Sequence, residues 1–299
     1  MSPSFDPRPV ALGAMGFFWG GLTAPLAIRL AQLYEILDVP DVRKIHTSHM
    51  PRGGGLGLWS GYMLLALYLG QEMPMMRLTA TGATMVFLCG YMDDMRSLSP
   101  FLRLALHFIA SAMAVLPLGL PPVSALMAVV WVAGTTSAYN LIDGMNGLCL
   151  SLFIASCAAL CWLRAAPVGA CMGAMALGVL CWNFPSAQTF LGDGGSTLLG
   201  YLFASHFVTA ALPRLPDIPI HETILLLLLF GGAPVLDTMV AFCRRILRGK
   251  SPFYPDKGHL HHVLMSTTGS TLWAVCVLLA LHGLCLAGGL AAWARLLRP

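Results

Sequence analysis

Hydrophobic residues in this chain fall into long continuous runs separated by short polar stretches. The runs lie near 9–30, 55–70, 78–92, 101–118, 122–140, 147–163, 168–182, 197–212, 221–242 and 271–294. A membrane barrel would instead show alternating segments of about ten residues. Unbroken apolar runs approaching 20 residues cross a bilayer as helices, because only a helix satisfies every backbone group within its own segment. The pattern predicts an all-α protein: a polytopic membrane helix bundle of about ten transmembrane helices, forming a single integral-membrane domain over residues 1–299. The runs at 55–70 and 78–92 are short for a hydrocarbon layer of about 30 Å, which predicts tilt or local thinning. The first run, Pro9 to Ile28, has no strongly basic flank and reads as a span rather than a cleaved signal.

The polar stretches are of two alternating kinds. Gln71 to Arg77, Leu118 to Pro122, Arg164 to Pro167 and Pro213 to Ile220 are short and bland, whereas Gln32 to Gly54, Asp93 to Pro100, Asn140 to Asn146, Asn183 to Ser196 and Cys243 to Ser270 are dense in polar groups. With ten spans, all the dense stretches share one membrane face. Nine of the 13 acidic residues and eleven of the 17 Lys and Arg gather there. The excess of basic residues assigns that face to the cytoplasm and both chain ends to the outside. Composition agrees with a lipid environment: 57% of residues are hydrophobic and 10% charged, against about 25% charged in soluble domains. The nine cysteines are scattered through apolar runs without the paired spacing of a zinc site. A transporter places its polar residues near the midplane. Here they crowd one surface, as in an enzyme that joins a soluble substrate to a lipid one.

Five stretches carry candidate chemistry. Asp38 to His46 is followed by Pro51-Arg-Gly-Gly-Gly55, offering Arg43, Lys44 and Arg52 as phosphate-binding cations and glycines that permit close backbone approach. Asp93 and Asp94 adjoin at the end of an apolar run, a costly placement unless a cation or water compensates; they suit magnesium binding or a base role. Asn140, Asp143 and Asn146 repeat every three residues beside two glycines. Asp193 sits among glycines at the start of a helix, where free N–H groups favour an anion and the carboxylate could hold a metal. Arg244, Arg245 and Arg248 precede His259, His261 and His262, a set that fits phosphate better than zinc because the other candidate ligands are hard carboxylates. Arg245 is expected at a solvated site.

In this order the stretches read D-x-P-x-x-R-K-x-H, D-D-x-x-x-L-S-P, N-x-x-D-G-x-N-G-L, F-L-G-D-x-G-S and R-R-x-x-x-G-x-S-P-F-x-P-D-x-x-H-x-H-H. Together they resemble the polyprenyl-phosphate N-acetylhexosamine-1-phosphate transferase superfamily (glycosyltransferase family 4) over roughly residues 35 to 265. The last motif is similar to the undecaprenyl-phosphate GlcNAc-1-phosphate branch, which starts O-antigen, enterobacterial common antigen and teichoic-acid linkage glycans. The phospho-MurNAc-pentapeptide transferase branch has a different histidine-rich loop. The resemblance implies attack of undecaprenyl phosphate on the β-phosphorus of a UDP-N-acetylhexosamine, with loss of UMP, at the inner face of a bacterial cytoplasmic membrane. It implies Mg2+, or Mn2+ in its place, held by Asp193 with help from Asn140. Asp93, Asp94 and Asp143 are the implied catalytic residues, with Asp93 activating the lipid phosphate. Lys44, Asn140, Asn146, Arg245, His259, His261 and His262 are the implied substrate-binding residues. Lipid and possible self-association as a homodimer are implied as partners, and no nucleic acid.

Two positions depart from the pattern. Asn146 stands where many bacterial members carry Asp, although eukaryotic relatives carry Asn, and Ser137 stands where an upstream Asn is common. An intramembrane aspartyl protease would need a Tyr-Asp and a full Gly-x-Gly-Asp pair, which the sequence around Asp193 does not supply. A non-catalytic scaffold would not need Asp93, Asp94, Asp143 and Asp193 together.

Overall fold

A computed structural model describes residues 6–38, 50–214, 218–251 and 258–297, excluding the side chain of Arg164. Among them are eleven α-helices: α1 (Arg8–Leu33), α2 (Gly54–Leu69), α3 (Met75–Met95), α4 (Pro100–Val115), α5 (Pro122–Ile142), α6 (Leu148–Leu160), α7 (Ala166–Asn183), α8 (Gly192–Ala211), α9 (Ile220–Leu247), α10 (Leu260–Thr268) and α11 (Thr271–Leu296). The ten apolar runs each fall on one of these, and α10 is an addition. Seven helices are long and apolar enough to cross a membrane, with α2 and α6 shorter but equally apolar. The chain is an all-α, multi-pass membrane bundle.

Three boundaries differ from expectation, each for a local reason. The stretch Cys243 to Ser270 was expected as loop, yet α9 continues to Leu247 and α10 occupies Leu260–Thr268. This nine-residue helix buries His261 and packs Leu260, Leu264 and Met265 on a small apolar cluster, too short an apolar face to stand out beside the long runs. Asp93 and Asp94 belong to the last turn of α3, and Asn140 to the last turn of α5. In each case the polar residues of the site extend a helix of the bundle rather than opening a loop.

Ion pairs mark the two faces of the bundle. On one, Arg8 at the start of α1 pairs with Glu72 in the α2–α3 connection at 2.9 Å, and Arg295 near the end of α11 pairs with Glu222 in the first turn of α9. On the other, Arg52 pairs with Asp38 and Asp94, and Arg103 with Asp93. The two clusters are separated by the length of α1, about 39 Å at 1.5 Å per residue. The dense polar stretches therefore do share one face, as the alternation of loops requires.

Helix α8 is the axis of the bundle: 89% of its apolar window is buried, with α3 and α5 packed along it. It starts at the polar face, and its first turn meets the backbones of α2 and α3 at glycines. A Cβ on Gly90 of α3 would lie 2.5 Å from the Asp193 carbonyl oxygen, and one on Gly55 of α2 would lie 2.6 Å from Cα of Gly195. Backbones in such contact hold the turn that carries Asp193 close against α2 and α3. Replacing Gly90 by Val is expected to separate α3 from α8, costing roughly 1–3 kcal/mol by overpacking. It should appear as a lower unfolding midpoint of the purified protein in detergent; an unchanged midpoint would refute this close-contact account.

Candidate active site

The start of α8 ends inside protein, so its first N–H groups need acceptors. The Asp94 carboxylate supplies them, receiving N–H groups of Asp193 at 3.0 Å and Gly194 at 3.2 Å. Arg52 adds a charged hydrogen bond to the same carboxylate at 2.7 Å and also pairs with Asp38. With its side chain 2% exposed and both oxygens engaged, Asp94 is the cap of α8. The N–H groups expected to receive a substrate anion are thus taken by a carboxylate from α3.

Arg52 is held by backbone pairing. Strand β1 (Leu37–Asp38) runs antiparallel to β2 (Met50–Pro51). Beyond it Phe190 donates to the Pro51 carbonyl at 2.9 Å, while Gly54 and Gly55 donate to the carbonyls of Phe190 and Leu191 at 3.0 and 3.2 Å. The Thr189 hydroxyl donates to the Pro51 carbonyl at 3.0 Å. The glycines at 53–55 were expected to cradle phosphate. Gly53 instead lies against the Ala27 carbonyl and Gly55 against Gly195, so these two serve helix contact. Lys44, with Arg43 and His46, lies outside the described residues.

Asp93 accepts the Leu98 N–H at 2.6 Å and pairs with Arg103. The same Arg103 Nη1 reaches Asp193 Oδ2 at 3.3 Å. Two carboxylates from different helices therefore converge on one point, which the guanidinium now occupies. Asp193 is the more open of the two, its side chain 33% exposed against 10% for Asp93. Asn140 lies within hydrogen-bonding reach of Asp193. Asp143, directly after α5, sits in the same field: burial pushes its carboxyl up to about 8, the negative charges of Asp193 and Asp94 add to the rise, and Arg52 opposes it.

The turn after Asp143 is fixed by Asn183, whose Oδ1 accepts the Gly147 N–H at 2.6 Å and whose Nδ2 donates to the Thr189 carbonyl at 2.8 Å. Asn146 donates to the Pro185 carbonyl at 3.4 Å. Ser137, the other departure, is paired with His107 on α4, Oγ to Nδ1 at 3.1 Å.

The histidine cluster is built on Asp237. Its Oδ2 meets His259 Nδ1 at 2.7 Å and its Oδ1 accepts the Leu260 N–H at 2.8 Å. The bond to Asp237 places the proton of His259 on Nδ1, leaving Nε2 to accept from Arg245 Nη2 at 3.2 Å. Arg245 was expected at a solvated site; it is 8% exposed, because this pairing draws it inward. His261 packs directly on Gly144, where any side chain would collide with its ring, and stacks near His262 with ring centres 4.2 Å apart. Burial, then the neighbouring His262, lowers His261 to about 4, so the ring is neutral at pH 7. The histidine cluster thus abuts the Asn140–Asn146 turn, joining the last polar stretch to the third.

Asp93, Asp94, Asn140, Asp143, Asn146, Asp193, Arg245, His259, His261 and His262 therefore occur on one face. The sequence reading had not singled out Arg103, Asn183 or His107, nor given Asp237 a role. Asp237, Arg103 and His107 carried a usable signal, being ionisable residues inside predicted apolar runs; Asn183 carried none. Among the described residues no group of three or more His, Cys, Asp or Glu side chains lies close enough to grip an ion unaided. The donors that do converge are two carboxylates and an amide, oxygen ligands of the kind Mg2+ takes when water and substrate complete its shell.

Fold and site together define a multi-pass membrane enzyme. The family model for glycosyl transferase family 4 matches residues 76–211. The match spans α3 to α8 and includes every site carboxylate from Asp93 to Asp193, but not the histidine cluster. Relatives extend the likeness over most of the chain. A probable undecaprenyl-phosphate N-acetylglucosaminyl 1-phosphate transferase of Bacillus subtilis is 29% identical over 82% of this chain and 74% of its own length. An undecaprenyl-phosphate alpha-N-acetylglucosaminyl 1-phosphate transferase of Thermotoga maritima is 29% identical over 86% and 81%. A decaprenyl-phosphate N-acetylglucosaminephosphotransferase of Mycobacterium leprae is 28% identical over 83% and 74%.

Two outcomes follow from these contacts. Asp94→Ala removes the cap of α8 and leaves Arg52 short of a partner, which should destabilise the protein by roughly 3 kcal/mol. Thermal unfolding should show Asp94→Ala well below Asp94→Asn, which keeps an acceptor for the N–H groups; equal midpoints would refute the capping role. Asp143 titrates higher in the fold than in the unfolded chain, so the folded state binds the extra proton. Stability of the ligand-free protein should fall as pH rises from the usual carboxylate range to about 8 and then level off. Asp143→Asn should flatten that slope, and an unaltered slope would contradict the placement of this carboxyl.

Proposed function

We propose that this protein transfers N-acetylhexosamine-1-phosphate, with GlcNAc as the sugar, from a UDP-sugar to undecaprenyl phosphate at the cytoplasmic face of a bacterial inner membrane, starting a lipid-linked surface glycan. The observation that carries the reading is the convergence of Asp93 and Asp193 on one point, beside Asn140 and Asp143. The relatives' names, each pairing a polyprenyl phosphate with N-acetylglucosamine, support the choice of both substrates. The excess of Lys and Arg on the site's face supports its cytoplasmic orientation.

In this reading an oxygen of the lipid phosphate attacks the β-phosphorus of the sugar nucleotide, a new P–O bond forms, and the bond to UMP breaks. Asp193 and Asn140 would hold Mg2+, with Asp93 facing it. The ion would supply neutralisation of the diphosphate charge, the main requirement of phosphoryl transfer. Asp93, fixed by the Leu98 N–H and Arg103, is oriented to take the proton of the lipid phosphate. Arg103, which bridges Asp93 and Asp193, would meet phosphate beside them with its remaining N–H groups. Arg245, His261 and His262 meet the phosphates, while His259, held in one tautomer by Asp237, orients Arg245. Asn146, an amide in place of a carboxylate, contacts the nucleotide without adding charge.

The test is purified protein in detergent with undecaprenyl phosphate and a panel of radiolabelled UDP-sugars, with and without magnesium. UDP-GlcNAc should give UMP and a lipid-linked sugar, and chelation should stop both. Asp193→Asn should abolish UMP release while the protein still inserts and stays monodisperse. Normal turnover by that variant would refute the metal assignment; use of UDP-MurNAc-pentapeptide alone would transfer the protein to the peptidoglycan branch.

A further inference from the structure

Helix α9 is broken in its middle. Gly232 has φ 54° and ψ −149°, outside the helical region, and Pro234 two residues on has no N–H to give. A break in a spanning segment frees backbone groups that lipid cannot satisfy. One of them, the Ala233 N–H, donates to His282 Nδ1 on α11 at 3.3 Å. His282 occupies the break so fully that any side chain on Gly232 would collide with its ring. Since Nδ1 accepts, the ring proton lies on Nε2, which donates to Ser156 Oγ on α6 at 2.9 Å. Ser156 in turn bonds the Tyr139 hydroxyl on α5 at 2.8 Å. His282, Ser156 and Tyr139 are all fully buried.

The part of α9 beyond the break carries Asp237 and Arg245, which build the histidine cluster. Tyr139 adjoins Asn140. We infer that His282 is a positioning residue: by filling the break and accepting the Ala233 N–H, it sets the direction of the second half of α9 and so places Asp237, His259 and Arg245 against the Asn140–Asn146 turn. A polar network buried this deeply is costly unless every member is satisfied, and here the chain from Ala233 to Tyr139 is continuous. The structural part of this inference stands on contacts alone; its catalytic consequence rests on the transfer reading above.

The test uses full-length protein in nanodiscs, with exposed Cys181, Cys243 and Cys276 replaced by Ser and spin labels at Leu247→Cys and Met95→Cys, both exposed positions at the site's face. His282→Leu, which keeps bulk but no acceptor, should shift the distance distribution between the labels. The same change, made without labels, should lower kcat/KM about 100-fold, mainly through kcat, as expected of a small misplacement. His282→Asn places an oxygen where Nδ1 stood and should retain the wild-type distribution and most of the activity. His282→Gln reaches Ser156 but not Ala233 and should behave like the Leu variant. Should the Leu variant not fold, the Asn and Gln pair decides: equal behaviour overturns the inference, as does an unshifted distribution in a folded Leu variant. If the unsubstituted protein transfers no sugar phosphate, the transfer reading fails while the distances still decide the role of His282.

Discussion

The start of a helix that terminates inside protein presents N–H groups that must be met, and in this molecule one carboxylate from a neighbouring helix meets them. The bond between Asp94 and the first turn of α8 determines most of what surrounds it. It needs α3 and α8 in backbone contact, which is why glycine stands at 90 and 194. It needs a cation to compensate the buried charge, which is Arg52. Arg52 in turn is kept in place by the pairing of residues 50–55 with residues 189–191. The first, second and fourth polar stretches of the sequence are therefore one structural unit.

Around that unit the charges are arranged in opposed pairs rather than left bare. Each of Asp38, Asp93, Asp94 and Asp193 touches an arginine, and Asp237 a histidine. Among the described residues Asp143 has no such partner, and burial raises its carboxyl. Removing charges from water near a bilayer is expensive, and this pairing lets five carboxylates gather in one region without unfolding it. It also separates those set by structural contacts, Asp38, Asp94 and Asp237, from Asp193, whose side chain stays one-third exposed.

Much of this was legible from the sequence because lipid is a demanding solvent. A run such as 271–294 is helical there, so ten runs give ten helices. The alternation of bland and dense connections then puts the dense ones on one face without knowledge of packing. What stayed hidden depended on contacts between distant segments. Nothing near Asp94 says that its partner is the backbone of residue 193, and nothing near Gly53 or Gly55 distinguishes helix contact from a phosphate cradle. Helix α10 stayed hidden because its apolar face, Leu260, Leu264 and Met265, is short and interrupted by histidines within a dense polar stretch. The inward draw of Arg245 likewise follows from His259, fourteen residues later, held by Asp237.

The ion pairs of Arg8 with Glu72 and of Arg295 with Glu222 have a practical side. They anchor the outer ends of the first and last helices across the full thickness of the bundle from the carboxylates. A reporter or affinity handle attached beyond either helix is therefore held on the far side of the bilayer, where it can neither crowd the cavity nor sense what enters it. Reporters of occupancy belong instead in the connections around Met95 and Leu247, which share the cavity's own compartment.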